Sequence, residues 1–499
     1  MKQLLTCREM AECDRYTMED VGLLSPVLME RAALSVADEI EQKCISFRYR
    51  TIRVVCGSGN NGGDGIAIGR ILFLKGYSVT VIMAGNIENC SIECRRQMEI
   101  ARKYQMEIQT EPDYTPVDIL IDAIFGIGLN RTLSPYYAEY IASLNKTDAK
   151  WRIAVDIPSG VNGNSGEIYQ TAFHADTTIT FAYGKPGLFL YPALEYVGEI
   201  RIKDIGIYLS PNVHSDIWLL EDVDRQFFPN RLRYSNKGTY GKILIIAGSK
   251  SMAGAAIFAA RAAYASGAGL VKVATPEENR IIIQTSIPEA MLVTYQGTDF
   301  SEVTEAMNWA DTIAIGPGIG RTEASVTLLQ TVFSHCSKPI VVDADAISIL
   351  SEHDTICFPE DCIITPHIGE MARFCHCRIS DIQQDPLHVA LQIAKEYNIT
   401  VVLKDTRTVI ASSDGRIRLH TAGNDGMATG GSGDVLTGVI AGWRARIANS
   451  FDAASFSVLA HGLAGDQAAL QVGKDSMTAS HLLNGLQTVL KEGIQDETI

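Results

Sequence analysis

Two successive α/β domains, each built on a parallel sheet with helices on both faces, are what the sequence predicts. Short apolar strand-like runs alternate with helical patterns throughout. The alternation loosens once, around Ser210 to Asp222, into the polar stretch Ser-Pro-Asn-Val-His-Ser-Asp. The chain has 499 residues, a length that suits roughly two to four domains. The boundary is therefore placed at 215/216, giving domains 1–215 and 216–499.

In the first half, helical periodicity runs from Leu28 to Ile45, followed by a strand at Ile52 to Cys56. A helix from about Gly65 to Lys75, a strand at Ser78 to Met83 and a helix near Ile92 to Tyr104 come next. Strands at Asp118 to Asp122, Arg152 to Asp156 and Thr177 to Phe181 complete it. In the second half, strands are expected at Lys242 to Ala247, Val271 to Thr275, Thr312 to Ile315, Pro339 to Asp343, Cys362 to Thr365 and Val401 to Lys404. Ala253 to Val273 is the most membrane-like stretch, but its residues are mostly small and it carries Arg261 and Lys272. It reads as a buried, tightly packed helix, and no membrane association is expected.

Composition narrows the function. The net charge is −15, which argues against a grip on nucleic-acid phosphates. It leaves open a small anionic ligand held by backbone N–H groups. Cys7, Arg8, Glu9, Glu12 and Asp14 interrupt any apolar export segment near the start. The 11 cysteines are scattered without repeated spacing, which fits reduced thiols in a cytoplasmic protein. Cys375-His376-Cys377 looks metal-like, but adjacent residues supply three tetrahedral ligands poorly; residues at a helix end are the better reading.

The run Gly57-Ser58-Gly59-Asn60-Asn61-Gly62-Gly63-Asp64-Gly65 follows a strand and opens a helix. Glycines let a ligand approach backbone closely, and a helix N-terminus offers N–H groups to an anion. The alternative is a sharp turn that needs glycine for geometry alone. Two further strand ends carry acids, Asp122 in Ile121-Asp122-Ala123-Ile124-Phe125-Gly126-Ile127-Gly128 and Asp156 in Val155-Asp156-Ile157-Pro158-Ser159-Gly160. Ligands of doubly wound sheets sit beyond such strand ends.

Asn60-Asn61-Gly62-Gly63-Asp64-Gly65 together with Val155-Asp156-Ile157-Pro158-Ser159-Gly160 resembles the NAD(P)H-hydrate epimerase family, over nearly all of the first half. The resemblance implies a Rossmann-like three-layer domain with Asp156 as catalytic acid/base. It implies potassium held by Asn61, Asp122 and Ser159, oxygen donors that suit such a cation. The hydrated dinucleotide would lie along Asn60, Asn61, Gly62, Gly63 and Asp64, along Gly126, Ile127, Gly128, Leu129, Asn130, Arg131 and Thr132, and against Asp156.

The second half contains Ala422-Gly423-Asn424-Asp425-Gly426-Met427-Ala428-Thr429-Gly430-Gly431-Ser432-Gly433-Asp434, leading into a small-residue helix that continues through Trp443. Gly431, Ser432 and Gly433 would offer N–H groups to a phosphate. Asp434, in the first turn, would be kept ionised by the helix dipole and act as a base. An N-capping Asp after a flexible loop is the plainer alternative.

This half resembles the ribokinase-like fold, and within it the NAD(P)H-hydrate dehydratase family. The matching segments are Lys237-Gly238-Thr239-Tyr240-Gly241, Gly316-Pro317-Gly318-Ile319-Gly320, Asp343-Ala344-Asp345-Ala346 and Thr365-Pro366-His367-Ile368-Gly369-Glu370-Met371. The resemblance implies that Ala253, Gly318, His367 and Asp434 contact the hydrated nucleotide. Lys404, Asp405, Thr406, Arg407, Thr408 and Gly433 would hold ADP or ATP. His367 after Thr-Pro could instead merely close a turn. Asp405 stands where the family has Gly, which sets an acid beside phosphates; Ser432 stands where Thr is common and keeps the hydroxyl. Lys185-Pro186-Gly187 matches the epimerase family's last motif.

The implied protein is a bifunctional isomerase and lyase that repairs the hydrates NADHX and NADPHX. The first domain would interconvert the R and S epimers. The second would phosphorylate the S hydrate's hydroxyl, with Asp434 as base, and expel phosphate. Magnesium would neutralise the nucleotide oxygens. The fused arrangement resembles the bacterial one and implies ADP as donor and a homo-oligomer. The alternatives are a ribokinase-fold small-molecule kinase with an attached ligand-binding domain, or a binding scaffold without activity.

Overall fold

Continuous apolar runs are stable as strands only when both faces of the sheet are covered. Ile52, Val54, Val55 and Cys56 on one strand and Ile119, Leu120 and Ile121 on the next are all buried. The computed structural model describes residues 1–353 and 357–492. It separates into two units, Gln3–Ile217 and Trp218–Ile499, with Met1–Lys2 counted in the second.

In the first unit the strands lie in the order Ile108–Gln109, Ser78–Met83, Thr51–Cys56, Val117–Ala123, Ala149–Val155, Thr177–Phe181, Glu199–Lys203, and every pair is parallel. The chain leaves the centre of the sheet after Thr51–Cys56 and resumes on its other side at Val117–Ala123. The crevice beyond the carboxyl ends of these two strands is the topological switch point, where open α/β sheets take ligands. One face is packed by the helices Ser25–Phe47 and Asn60–Leu74 through Ala33, Val36, Ile40, Ile66 and Ile68. The other is packed by Pro135–Leu144 through Tyr140, Ile141 and Leu144.

The helix expected from Gly65 begins instead at Asn60. Asn60, Asn61, Gly62, Gly63 and Asp64 are therefore its first turns, not a loop ahead of it. Close packing explains the glycines: a Cβ on Gly62 would stand 1.8 Å from the Gly57 carbonyl oxygen, and one on Gly57 2.1 Å from that of Ile124. For Gly57 and Gly62, geometry alone is sufficient reason.

In the second unit the sheet runs Ile217–Leu220, Ile417–His420, Thr408–Ala411, Thr400–Leu403, Cys362–Ile364, Ile340–Val342, Thr312–Ile315, Lys242–Ile246, Leu270–Pro276, Met291–Tyr295. Pairing is parallel from Thr400–Leu403 to Met291–Tyr295. Thr400–Leu403, Thr408–Ala411 and Ile417–His420 pair antiparallel, so the expected all-parallel sheet is corrected to a mixed one. The links between those strands are too short for a parallel crossover. The switch point lies between Lys242–Ile246 and Thr312–Ile315.

Ala253 to Val273 is not one helix. The helix ends at Ala265, Gly267 takes a φ of 96° and the strand Leu270–Pro276 follows. Small residues there allow contact at backbone distance with the helix Ser432–Arg444. A Cβ on Gly438 would stand 2.1 Å from the Ala259 carbonyl oxygen, and Trp443 Nε1 donates to Ser266 O at 2.9 Å. Among the described residues no helix is long and apolar enough to cross a membrane.

Candidate active sites at the two switch points

A cavity of about 510 Å³ opens at the switch point of the first unit. Ser58, Asn60, Asn61 and Asp64 line it from one strand end, Phe125 to Leu129 from the next, and Asp156 and Lys185 from beyond. Asp156 follows Ala149–Val155 with a φ of 66°. That left-handed conformation is uncommon for a residue with a Cβ and marks a held side chain. Lys185, 1% exposed, donates to Asp156 Oδ1 at 2.7 Å and to Thr180 Oγ1 at 2.8 Å, and Thr180 donates to the same Oδ1 at 2.9 Å. Asp156 Oδ2 is left near Gly126, 3.1 Å from where a Cβ there would stand.

Beneath the cavity lies a knot of oxygens. Ser159 donates from its backbone N and from Oγ to Asp122, both at 2.7 Å, and Ile124 N donates to Asp122 at 3.1 Å. Ser159 Oγ accepts from Phe125 N at 2.9 Å, and Asn61 Nδ2 donates to Phe125 O at 2.9 Å. Asn61 Oδ1 is buried with no partner. Burial pushes Asp122 up to about 6, against the three donors that favour its ionised form. An orphaned amide oxygen beside one desolvated carboxylate and a hydroxyl fits a single monovalent cation with oxygen ligands.

Of the predicted dinucleotide contacts, Asn60, Asn61, Asp64, Gly126, Ile127, Gly128, Leu129 and Asp156 line the cavity. Gly62 and Gly63 are buried, and Asn130, Arg131 and Thr132 are exposed outside the lining. Sequence reasoning missed Asp14 and Met10, which line the cavity from the helix Cys7–Glu19. It also gave Lys185 no role. Its partner is 29 residues away, beyond any local pattern.

At the second switch point, Ala253 opens a helix that no side chain caps. Gly318, φ 64°, lies against that helix: a Cβ on it would stand 3.0 Å from Ala255 Cβ and 3.1 Å from Met252 Cβ. The helix Ser432–Arg444 also starts without a side-chain cap, on Gly431 at φ 90°. Asp434 is thus not an N-cap. Burial, with Asp343 adding and Lys404 opposing, pushes it up to about 6. The helix terminus was expected to favour its ionised form; desolvation outweighs it.

Lys404 is the hub. Its Nζ donates to Asp343 Oδ1 at 2.8 Å, and it lies 3.4 Å from where a Cβ on Gly433 would stand. Thr437 Oγ1 donates to Asp343 Oδ2 at 2.6 Å. Burial raises Asp343, but Lys404 and the hydroxyls of Thr437 and Thr365 hold it below the usual carboxylate range. Asp405 and Thr406 are exposed at the turn into Thr408–Ala411. Arg407 donates to Thr421 O and faces Asp466. His367 caps the helix Ile368–Phe374, its Nδ1 accepting from Gly369 N at 3.0 Å. The turn-closing role is therefore real, and it leaves Nε2 3.5 Å from Glu370. Among the described residues no group of three His, Cys, Asp or Glu could hold a metal, Cys375-His376-Cys377 included.

Two α/β units, each with a buried carboxylate at its switch point, define a two-site enzyme class that works on anionic small molecules. The family comparisons agree. The model described as NAD(P)H-hydrate dehydratase matches residues 243–488, and that described as YjeF-related protein N-terminus matches 25–187. A bifunctional NAD(P)H-hydrate repair enzyme of Moorella thermoacetica is 35% identical, over 98% of this chain and 96% of that one. The structure of an ADP/ATP-dependent NAD(P)H-hydrate dehydratase from Bacillus subtilis, co-crystallised with ATP and Mg2+, matches with TM-score 0.51 at 30% identity, covering 57% of this chain and 100% of that one. A ribokinase-like superfamily protein of Enterococcus faecalis matches with TM-score 0.52 at 29% identity, covering 57% and 100%. The chain belongs to the bifunctional NAD(P)H-hydrate repair enzyme family, with a ribokinase-like second unit.

Proposed function

We propose that this chain repairs hydrated NADH and NADPH, the first unit interconverting the R and S hydrates and the second converting the S hydrate back to NAD(P)H. The observation that supports this most is the pairing of two independent carboxylate sites in one family member: Asp156 on a 510 Å³ cavity, and Asp434 behind an uncapped glycine-rich helix start.

In the second unit, the phosphates of ADP or ATP lie against the N–H groups of Gly431 to Asp434, beside Lys404, with Asp405 to Thr408 and Arg407 flanking the nucleotide. Ala253, Gly318 and His367 hold the hydrated ring. Asp434 takes the proton from the substrate hydroxyl as it attacks the terminal phosphorus. Phosphate then leaves with the C–O bonding pair, far more readily than hydroxide. Magnesium would supply charge neutralisation on the nucleotide oxygens. In the first unit, Asn61, Asp122 and Ser159 would hold potassium, which would supply a fixed positive charge to the site. The protein works as a homo-oligomer in the cytoplasm.

A repair assay tests this. The protein is added to mixed hydrate epimers with magnesium, potassium and either ADP or ATP, and recovery of near-ultraviolet dihydronicotinamide absorbance is followed. Complete recovery is expected. A halt at the S fraction would remove the epimerase assignment, and a stable phosphorylated product would turn the second unit into a kinase.

A further inference from the structure

Epimerisation places a demand on the first unit that Asp156 alone does not meet. The substrate hydroxyl sits on the ring carbon next to the ring nitrogen. Inverting that carbon through a planar cation needs a proton given on one face and a proton taken on the other. A single carboxylate fixed on one wall serves one face.

The cavity holds two more carboxyls, Asp14 and Asp64. Asp14 projects from the helix Cys7–Glu19, an element separate from the loop that carries Asp156. The acids that flank it on that helix are tied to cations, Glu12 and Glu19 both to Arg15. Asp14 itself makes no hydrogen bond or ion pair among the described residues. The groups that face it are Lys185 and Asp156, and Asp64 from the helix Asn60–Leu74; Cys7, on its own helix, faces Asp156 and Lys185. Lys185 is already bound to Asp156 and Thr180. A half-buried acid with no donor is costly to keep for structure alone, and such groups in clefts cluster at sites of chemistry.

Resting on the reading of the first unit as an epimerase, we infer that Asp14 is its second catalytic residue, exchanging a proton with the substrate on the ring face away from Asp156. The Asp14 carboxyl gives its proton to the hydroxyl. The C–O bond breaks, its electron pair leaves with oxygen as water, and the ring-nitrogen lone pair forms the C=N bond. Water then adds to the opposite face as the C=N π pair returns to nitrogen, and Asp156 takes the proton released. The reverse reaction begins with the proton on Asp156. Each direction thus needs one proton delivered to the leaving oxygen. Burial pushes Asp14 up to about 7, so that proton is lost as pH rises through about 7, and both directions slow together. Asp64 is pushed well above the ordinary range by burial, with Asp156 and Asp14 adding.

The test uses the full chain with Asp14→Asn, Asp14→Glu and Glu19→Gln. Interconversion of separated R and S hydrates is followed by chromatography, in ordinary water and in oxygen-18 water. Dehydration of the S hydrate in the same preparation controls for folding. Expected are an about 100-fold slower interconversion in Asp14→Asn, with dehydration intact and KM little changed. The alkaline limb near 7 should vanish in that variant and move in Asp14→Glu, which also keeps the test decisive should the Asn variant fail to fold. Glu19→Gln, an exposed acid on the same helix that lies outside the cavity, should stay within a few-fold of wild type, and wild type should carry solvent oxygen into the hydroxyl at each inversion. Near wild-type interconversion in Asp14→Asn, an equal loss in Glu19→Gln, an unmoved limb in Asp14→Glu, or retention of the original oxygen would each overturn the inference. A wild-type chain that dehydrates the S hydrate but never interconverts epimers would instead remove the reading of the first unit itself.

Discussion

Desolvation sets the behaviour of single acids in both units, and it sets them apart. Asp343 is the more deeply buried, yet Lys404 and two hydroxyls keep it ionised. Among the described residues Asp434 has no donor of its own, and burial pushes it up to about 6. A base with that pKa is ionised at neutral pH and binds a proton more strongly than an ordinary carboxylate, which suits proton abstraction. The sign follows directly: dehydration needs Asp434 ionised, so its rate is full above about 6 and falls as pH drops through that value, by about tenfold per unit. Single-turnover dehydration of the S hydrate between pH 5 and 8 measures it; a flat profile would remove Asp434 as the base. In the first unit the same effect acts on Asp122, pushed up to about 6 by burial next to the orphaned Asn61 Oδ1. A cation there would relieve both. Potassium is therefore expected to raise the melting temperature of the first unit relative to choline chloride at equal ionic strength, and Asp122→Asn to remove the difference.

Elements whose character is carried by local pattern were legible, and elements defined by partners were not. The strand at Thr177–Phe181 is a continuous buried run and shows in the sequence residue for residue. The helix Cys7–Glu19 buries only Met10, Cys13 and Thr17, too sparse an apolar stripe to register, and nothing local assigns Asp14 to the site. The hairpin Thr408–Ala411 to Ile417–His420 had a usable signal in Asp414-Gly415, since Gly415 takes a φ of 109°. Candidate site positions at strand ends, such as Asp156, could be read from motif and topology; Lys185 and Thr437 bond to residues 29 and 94 positions away, and only the fold brings those together. Packing of the helices Ala253–Ala265 and Ser432–Arg444 makes a prediction at this scale. Gly438→Ala sets a Cβ 2.1 Å from the Ala259 carbonyl oxygen and 2.8 Å from Ala262 Cβ, so the helices must part. Overpacking costs about 1–3 kcal/mol, against about 1 kcal/mol regained in helix propensity. The second unit should melt earlier and dehydrate more slowly, since Asp434 sits one turn upstream, while epimerisation holds. Unchanged melting would mean that the two helices can separate freely.

Each unit has its own core and its own switch point, and every residue assigned a role in one site belongs to the same unit as its partners. Chemistry in one unit therefore has no structural need of the other, and the S hydrate can be handed over through solution. Asp156→Asn should lose epimerisation by about 100-fold or more and still dehydrate the S hydrate, and Asp434→Asn should do the reverse. Neither variant alone should return a mixed hydrate sample fully to NAD(P)H. An equimolar mixture of the two variants should, because the epimer released by one chain is substrate for the other. The rate should then rise with protein concentration until dehydration limits it. Recovery that stops at the S fraction, with both single activities confirmed in the mixture, would show that transfer is confined to one polypeptide, and the case for two self-sufficient sites would fail.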